Sequence, residues 1–287
     1  MSDGNFQFDY AQIGGVKLHY AKAGEGENLV LFLHGFPEFW YSWRYQLAAL
    51  SDEYTVVAPD LRGYNWSDKP PRVEDYKIDN LVDDVLGLIR YFGNEKTAIV
   101  AHDCGAGIAW EIAEKYPESI WKLACMQVPP ISVWKKNQTL RQTLASWYMI
   151  FYQIPYLPEW ILSRNNFALA EILCRNAAAD YNFFSAENMK EYKRSWREPG
   201  ALTSMINFYR ANVFDIFFKS QGDAKIKVPT LFIYGEKDTA VLPATVKNVA
   251  DVIDAPFSEI RIPDSGHWVQ QEAAEIVTDS LREFLKE

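Results

Sequence analysis

Cysteine and histidine are scarce in this chain of 287 residues, which has three cysteines and four histidines. The cysteines are odd in number and form no C-x-x-C pair, which argues against a disulfide framework and favours a reducing compartment. The histidines lack the spacing of metal ligands. The sequence therefore predicts neither a metal site nor a bound cofactor.

Long apolar runs and basic clusters are also missing. No run of about 18 apolar residues is present, so the sequence predicts no transmembrane helix. The opening residues, MSDGNFQFDY, lack both the basic and the apolar segment of a signal peptide. The net charge of −9 argues against nucleic acid and anionic membranes as partners. We therefore expect a cytoplasmic protein that binds neither nucleic acid nor membranes.

The chain is rich in hydrophobic residues (48%) and in aromatic residues (15%), enough for a large α/β core and a ring-lined pocket. Strand-like and helix-like segments alternate up to residue 130, which indicates a mostly parallel sheet with helices on both faces. Residues 131–223 show only helical periodicity. The sequence predicts an α/β core of residues 1–130 and 224–287, with residues 131–223 inserted as a helical cap over the carboxyl edge of the sheet. The predicted strands are residues 6–13, 16–21, 29–33, 54–58, 98–101, 121–126, 231–234 and 258–262.

The segment TAIVAHDCGAGIAWEIAEKY is centred on Asp103. Small residues stand two positions before Asp103 and two, three and four positions after it. This is the spacing of a nucleophile elbow, in which a sharp strand-to-helix turn exposes one side chain. The alternative is an ordinary strand–turn–helix in which Asp103 only caps the helix.

Two further polar side chains follow predicted strands directly. Asp103, Asp238 and His267 each stand at the carboxyl end of a strand, so we expect them to meet at one edge of the sheet. Their order of nucleophile, acid and histidine is the order found in α/β-hydrolases. The acid could also stand after strand 121–126, one strand earlier than the strand that leads to Asp238, but that position holds Gln127, which cannot serve as the acid. His19 and His102 are predicted to be structural.

An aspartate nucleophile implies a particular chemistry. A carboxyl group with a pKa of about 3.9 is ionised at neutral pH and can displace a leaving group from an sp3 carbon, giving an alkyl ester. His267, oriented by Asp238, would then deprotonate a water that attacks the ester. Backbone N–H groups of Phe36, in an H-G-x-P loop, and of Cys104 are predicted to form the oxyanion hole. Epoxides and alkyl halides suit this scheme, whereas peptides and ordinary esters do not.

Over nearly its whole length the chain resembles the epoxide hydrolases of the α/β-hydrolase superfamily. In that family two cap tyrosines donate hydrogen bonds to the epoxide oxygen, and the matching positions are Tyr148 and Tyr209; the alternative is that both only pack. The resemblance implies hydrolysis of a small-molecule epoxide to a vicinal diol. It rests on HGFPEFWYSWRYQ (34–46), PDLRGYNWSDKP (59–70), HDCGA (102–106), SWYMIFYQIP (146–155), EPGALTSMINFYR (198–210), GEKD (235–238) and SGHWVQ (265–270).

The predicted substrate pocket is lined by Phe36, Phe39, Trp40 and Cys104, and by the uncharged, aromatic segment 143–158. Cys104 departs from the family pattern, which often has a bulky residue there, so we expect a roomier pocket. A haloalkane or haloacetate dehalogenase with the same triad is the alternative enzyme, although those families place Trp or Arg at the position of Cys104. A non-catalytic ligand-binding protein on the same scaffold is the other alternative, and the sequence does not specify an oligomeric state.

Overall fold

The computed structural model describes residues 6–218 and 225–286. Its centre is an eight-stranded sheet with the strand order β1-β2-β4-β3-β5-β6-β7-β8. The first two strands are antiparallel to their neighbours, and the other six run parallel to one another. The strands are β1 (Gln7–Ile13), β2 (Val16–Ala23), β3 (Leu29–Leu33), β4 (Thr55–Pro59), β5 (Thr97–His102), β6 (Ile120–Met126), β7 (Thr230–Gly235) and β8 (Phe257–Ile262).

The pattern of burial explains the arrangement of the strands. Every residue of β3, β5 and β7 is buried, as expected where helices cover both faces of a parallel sheet. Strand β1 is mostly exposed at the sheet edge. Its hairpin with β2 pairs Ile13 with Val16 and turns at Gly14 and Gly15, both at positive φ, which confirms the predicted two-residue turn.

Helices alternate with the parallel strands, and α2 packs on α3 while α1 packs on α11. The predicted apolar face of α2, formed by Leu81, Val85, Leu88 and Ile89, is buried. The mostly parallel sheet with helices on both faces is therefore confirmed. The helices are α1 (Arg44–Leu50), α2 (Ile78–Tyr91), α3 (Cys104–Lys115), α4 (Ile131–Lys136), α5 (Leu140–Ala145), α6 (Trp147–Phe151), α7 (Leu157–Ala177), α8 (Ala186–Arg197), α9 (Ala201–Phe218), α10 (Val269–Glu272) and α11 (Ala274–Lys286).

Helices α4 to α9 form a helical insertion, residues 131–218, between β6 and β7. No strand interrupts the part of this segment that the structure describes, and the predicted domain boundary at 223/224 lies outside the described residues. Helix α7 is broken by non-helical backbone at residues 164–167. None of the described helices combines the length and the apolarity needed to span a membrane.

The helical insertion is joined to loops at the carboxyl edge of the sheet. Trp196 donates an indole hydrogen bond of 2.7 Å to the carbonyl of Pro37, in the loop after β3. The backbone N–H of His267, in the loop after β8, donates to the carbonyl of Ala177 at 2.8 Å. The insertion therefore lies over the edge at which Asp103 is found.

Candidate active site

Asp103 stands at a sharp turn between β5 and α3. Its backbone has φ 50° and ψ −120°, a combination that non-glycine residues rarely adopt. Its side chain makes no capping hydrogen bond to the helix. Instead, its Oδ1 atom accepts a 2.8 Å hydrogen bond from the backbone N–H of Phe36. The strained turn thus presents the carboxylate to the loop after β3 rather than using it as a helix cap.

Two glycines make this turn possible. A Cβ atom on Gly105 would lie 2.4 Å from the carbonyl oxygen of Leu33, so the helix could not close on the strand. A Cβ atom on Gly35 would lie 2.4 Å from the Asp103 side chain. By contrast, a Cβ atom on Gly107 would meet nothing within 4 Å. The requirement for a small residue therefore holds at Gly105 but not at Gly107.

The structure brings Asp103, Asp238 and His267 together. The Nδ1 atom of His267 lies 2.8 Å from Oδ2 of Asp238, and its Nε2 atom lies 3.6 Å from Oδ2 of Asp103. The other oxygen of Asp238 accepts backbone hydrogen bonds from Ala240 at 2.7 Å and Val241 at 3.0 Å. One imidazole therefore bridges two carboxylates, as the order of these residues in the sequence predicts.

Opposite charges outweigh burial at this site. Burial would raise the pKa of Asp103, but His267, with smaller contributions from His102 and the Phe36 N–H, holds it well below its usual value of 3.8. Burial would lower the pKa of His267, but Asp238 and Asp103 raise it well above 6.5. At neutral pH Asp103 is a carboxylate facing an imidazolium.

A second buried histidine, His102, contacts the backbone of His267. The Nδ1 atom of His102 lies 2.8 Å from Oε2 of Glu38, and its Nε2 atom lies 2.8 Å from the carbonyl oxygen of His267. Glu38 also accepts hydrogen bonds from the side-chain amides of Gln270 and Gln271. His102 therefore joins the buried side chain of Glu38 to the backbone of His267.

Two further polar residues that the sequence singled out, His19 and Gln127, each contact a buried aspartate. His19 pairs with the buried carboxylate of Asp60 at 2.6 Å, in the region of the hairpin. Gln127 donates a 2.6 Å hydrogen bond to Asp238, a contact that sequence reasoning missed because it considered Gln127 only as a possible acid. The signal that could have revealed this contact is the position of Gln127 directly after β6, the neighbour in the sheet of the strand that leads to Asp238.

Tyr148, on α6, and Tyr209, on α9, lie beside Asp103, with their ring centroids 5.8 Å apart. Burial raises the pKa of each phenol well above 10, so both keep their protons at neutral pH. Both tyrosines and Asp103 line two cavities of about 190 and 170 Å³. The first cavity is also lined by Phe36, Leu162, Trp196, Met205 and His267, and the second by Cys104, Trp110, Val128, Met149, Phe208 and Val241.

Phe39 and Trp40 are not at these cavities, unlike Phe36 and Cys104. The ring of Phe39 packs on Tyr41 and Tyr192, and Trp40 packs edge-on against Phe8. The chain enters a short 3-10 helix at Trp40–Trp43, where burial of these large rings in the core is favoured. The prediction that Phe39 and Trp40 line the pocket is therefore corrected.

The described residues contain no cluster of three or more His, Cys, Asp or Glu side chains that could hold a metal ion. Cys104, Cys125 and Cys174 are buried free thiols.

Comparisons with known proteins identify the family to which the chain belongs. A family model described as the alpha/beta hydrolase fold matches residues 28–274. The chain is 38% identical to epoxide hydrolase 1 of Caenorhabditis elegans, over 96% of this chain and 69% of that protein. It is 36% identical to the AB hydrolase superfamily protein YfhM of Bacillus subtilis, over 96% and 97% of the two chains. A crystal structure of Bacillus megaterium epoxide hydrolase in complex with an inhibitor matches with a TM-score of 0.86 and 31% identity, over 97% of this chain and all of that one. The chain belongs to the α/β-hydrolase superfamily and, within it, to the epoxide hydrolase family.

Proposed function

We propose that this protein hydrolyses an epoxide to a vicinal diol through an ester on Asp103. The observation that carries the proposal is the placement of one ionised carboxylate, on a strained turn, between an imidazolium and two protonated phenols. The relatives named as epoxide hydrolases support the same substrate class. The largely apolar, aromatic cavities favour an uncharged substrate.

In the first step, Asp103 attacks a ring carbon and the carbon–oxygen bond of the epoxide breaks. The departing oxygen takes a proton from Tyr148 or Tyr209, because an alkoxide is a poor leaving group without one. The phenolate then regains a proton and His267 loses one. The net result of the step is therefore the transfer of one proton from His267 to the departing oxygen. The products of this step are a hydroxyalkyl ester on Asp103 and a neutral imidazole.

Alkylation itself prepares His267 for the second step. The ester carries no charge, so one of the two carboxylates that raise the pKa of His267 is removed. The neutral imidazole takes a proton from a water, and the hydroxide attacks the carbonyl carbon of the ester. The backbone N–H of Phe36, already 2.8 Å from Oδ1 of Asp103, stabilises the resulting oxyanion, together with that of Cys104. Collapse releases the diol, whose oxygen takes the proton of the new carboxyl group, and the ion pair is restored.

The helical insertion serves as the cap in this scheme, over the predicted range 131–223. It supplies the two phenols from α6 and α9, whereas the nucleophile and the base come from the sheet. The proton donors and the nucleophile therefore come from different elements that line the same cavities, so in this scheme a phenol can hold the epoxide oxygen while Asp103 attacks a ring carbon.

The proposal is tested by a single turnover of styrene oxide in water labelled with oxygen-18, with enzyme in excess. The label is expected in the Asp103 carboxylate, detected by mass spectrometry of the peptide, and the first diol is expected to be unlabelled. A labelled diol with an unlabelled Asp103 would show direct attack by water. Release of halide from haloalkanes, with no diol from any epoxide, would instead favour the dehalogenase alternative.

A further inference from the structure

Gln127 occupies the carboxyl end of β6, next in the sheet to the strand that leads to Asp238. Its side chain is fully buried, and its backbone has the left-handed φ of 66°. Its Nε2 atom donates to Oδ2 of Asp238 at 2.6 Å and lies 3.1 Å from the carbonyl oxygen of Gly266. Its Oε1 atom accepts a 2.6 Å hydrogen bond from the N–H of Gly235. A single amide therefore joins the loop of the acid to the loop of the histidine.

The two oxygens of Asp238 are saturated by these contacts. Oδ1 accepts the two backbone N–H groups of Ala240 and Val241, and Oδ2 accepts from both Gln127 and His267. Without the amide of Gln127, the carboxylate would keep its backbone contacts but lose the one neutral donor that holds Oδ2 toward the imidazole. The amide also contacts Gly266, the residue directly before His267. It therefore holds both Asp238 and the loop of His267 in position.

From these contacts we propose that Gln127 is a positioning residue for the hydrolysis of the ester, which rests on the function proposed above. Attack by Asp103 requires an ionised carboxylate and a phenol that protonates the departing oxygen, and the side chain of Gln127 contacts neither in the described structure. Hydrolysis requires a neutral His267 whose Nδ1–H points to Asp238, because only then does Nε2 present its lone pair to water. Gln127 thus acts on the second half-reaction and leaves the first largely unchanged.

The residue type is specific to this role. An amide donates to Asp238 and Gly266 while it accepts from Gly235, whereas a carboxylate of the same size can only accept. The substitution Gln127→Glu would keep the contact with Gly235 but place a second oxygen against Oδ2 of Asp238, so the two carboxyl groups would have to share a proton. Loss of that proton at alkaline pH would push the two groups apart.

The experiment measures the two half-reactions separately in Gln127→Leu and Gln127→Glu. Alkylation is followed by rapid-quench mass spectrometry of the Asp103 ester, and hydrolysis by the decay of that ester. For Gln127→Leu we expect alkylation within about threefold of wild type and hydrolysis at least about tenfold slower, as befits loss of a hydrogen bond to a charged group. For Gln127→Glu, which is nearly isosteric and therefore guards against a folding defect, we expect a descending limb in the hydrolysis rate at alkaline pH that wild type lacks.

Gln142→Leu is the matched control. Gln142 is also a buried amide that bridges to the loop of the acid, through the carbonyl of Ala240 and the N–H of Leu242, but it does not contact Asp238. It should lower the melting temperature without changing the ratio of the two rates. The role of Gln127 is overturned if both half-reactions slow equally, if neither changes, or if the pH profile of Gln127→Glu parallels that of wild type. A wild-type protein that forms neither ester nor diol would instead contradict the proposed function itself.

Discussion

The Nε2 atom of His267 lies 3.6 Å from Oδ2 of Asp103, a separation that suits an ion pair and exceeds a normal hydrogen bond. The charge on each partner stabilises the charge on the other. An uncharged ester at Asp103 would release this constraint on the imidazole. The pair therefore links the charge on Asp103 to the basicity of His267.

Replacing the base should trap the intermediate. His267→Gln keeps a polar side chain but cannot deprotonate water, so the ester at Asp103 should accumulate while ring opening continues. Intact-protein mass spectrometry after exposure to styrene oxide should show one added epoxide mass, located at Asp103 by peptide mapping. His19→Gln, which alters a buried histidine paired with Asp60, should show no accumulation. An unmodified mass for the His267 variant would contradict the scheme.

The rate of alkylation should be independent of pH between about 8 and about 4. The pKa of Asp103 is lowered, so the carboxylate stays ionised until the pH falls through a value well below 3.8. Stopped-flow measurement of ester formation at several pH values tests this. If burial governed the carboxyl group, its pKa would be raised, and the rate would decline as the pH falls within this range.

Removing the phenols should prevent ring opening. Tyr148→Phe or Tyr209→Phe should slow alkylation by about 10²-fold, and the double variant should form no measurable ester, because a general acid contributes about 10²- to 10⁴-fold. Tyr152→Phe is the control, since Tyr152 packs on Tyr209 with ring centroids 5.2 Å apart. Wild-type turnover by the double variant, with an unchanged circular dichroism spectrum, would refute this assignment.

The elbow should tolerate an added methyl group at one glycine but not at another. Gly105→Ala would place a Cβ atom 2.4 Å from the carbonyl oxygen of Leu33, so it should lower the free energy of unfolding by roughly 1–3 kcal/mol and displace the nucleophile. Gly107→Ala lies in α3 with open space around it and should raise the free energy of unfolding by about 0.5–1 kcal/mol. Urea denaturation of both variants measures the contrast. Equal effects would mean that close contact between helix and strand does not constrain the turn.

Glu38→Gln should destabilise the protein because Glu38 contacts His102 and accepts hydrogen bonds from Gln270 and Gln271, and the amide would replace one of its oxygens with a donor group. Glu38 and His102 are completely buried, and a buried polar group left without its hydrogen-bond partner costs about 1–3 kcal/mol. Chemical denaturation at pH 7 measures this loss. Glu53→Gln, which weakens a partly exposed pair with Arg282, should change the free energy of unfolding little. A small effect at Glu38 would indicate that these buried contacts contribute little to stability.

The sequence was sufficient to predict which side chains meet at the carboxyl edge. Asp103, Asp238 and His267 each follow a strand, and parallel strands with right-handed connections bring such positions together without knowledge of packing. The helical character of the insertion followed from periodicity alone. By contrast, the positions of Tyr148 and Tyr209 depended on the family resemblance, because nothing in the local pattern distinguishes them from packing aromatics.

Other features depended on packing that a one-dimensional pattern does not encode. Phe39 and Trp40 follow the H-G-x-P loop, but the 3-10 helix that begins at Trp40 carries both rings into the core. Gln127 was excluded as an acid for the correct chemical reason, yet its hydrogen bond to Asp238 depends on the register of β6 and β7. The pairing of Glu38 with His102 joins residues 64 positions apart through side chains alone.

The hydrogen bond from the backbone N–H of His267 to the carbonyl of Ala177 ties the proposed general base to the last turn of α7. Gly266 fits against the same backbone so closely that a Cβ atom would lie 2.5 Å from the nitrogen of Ala179. The end of this helix thus fixes the position of the His267 imidazole. It could not move away to admit substrate without displacing that side chain. Any opening of the cavity that keeps the site assembled must therefore come from another part of the insertion.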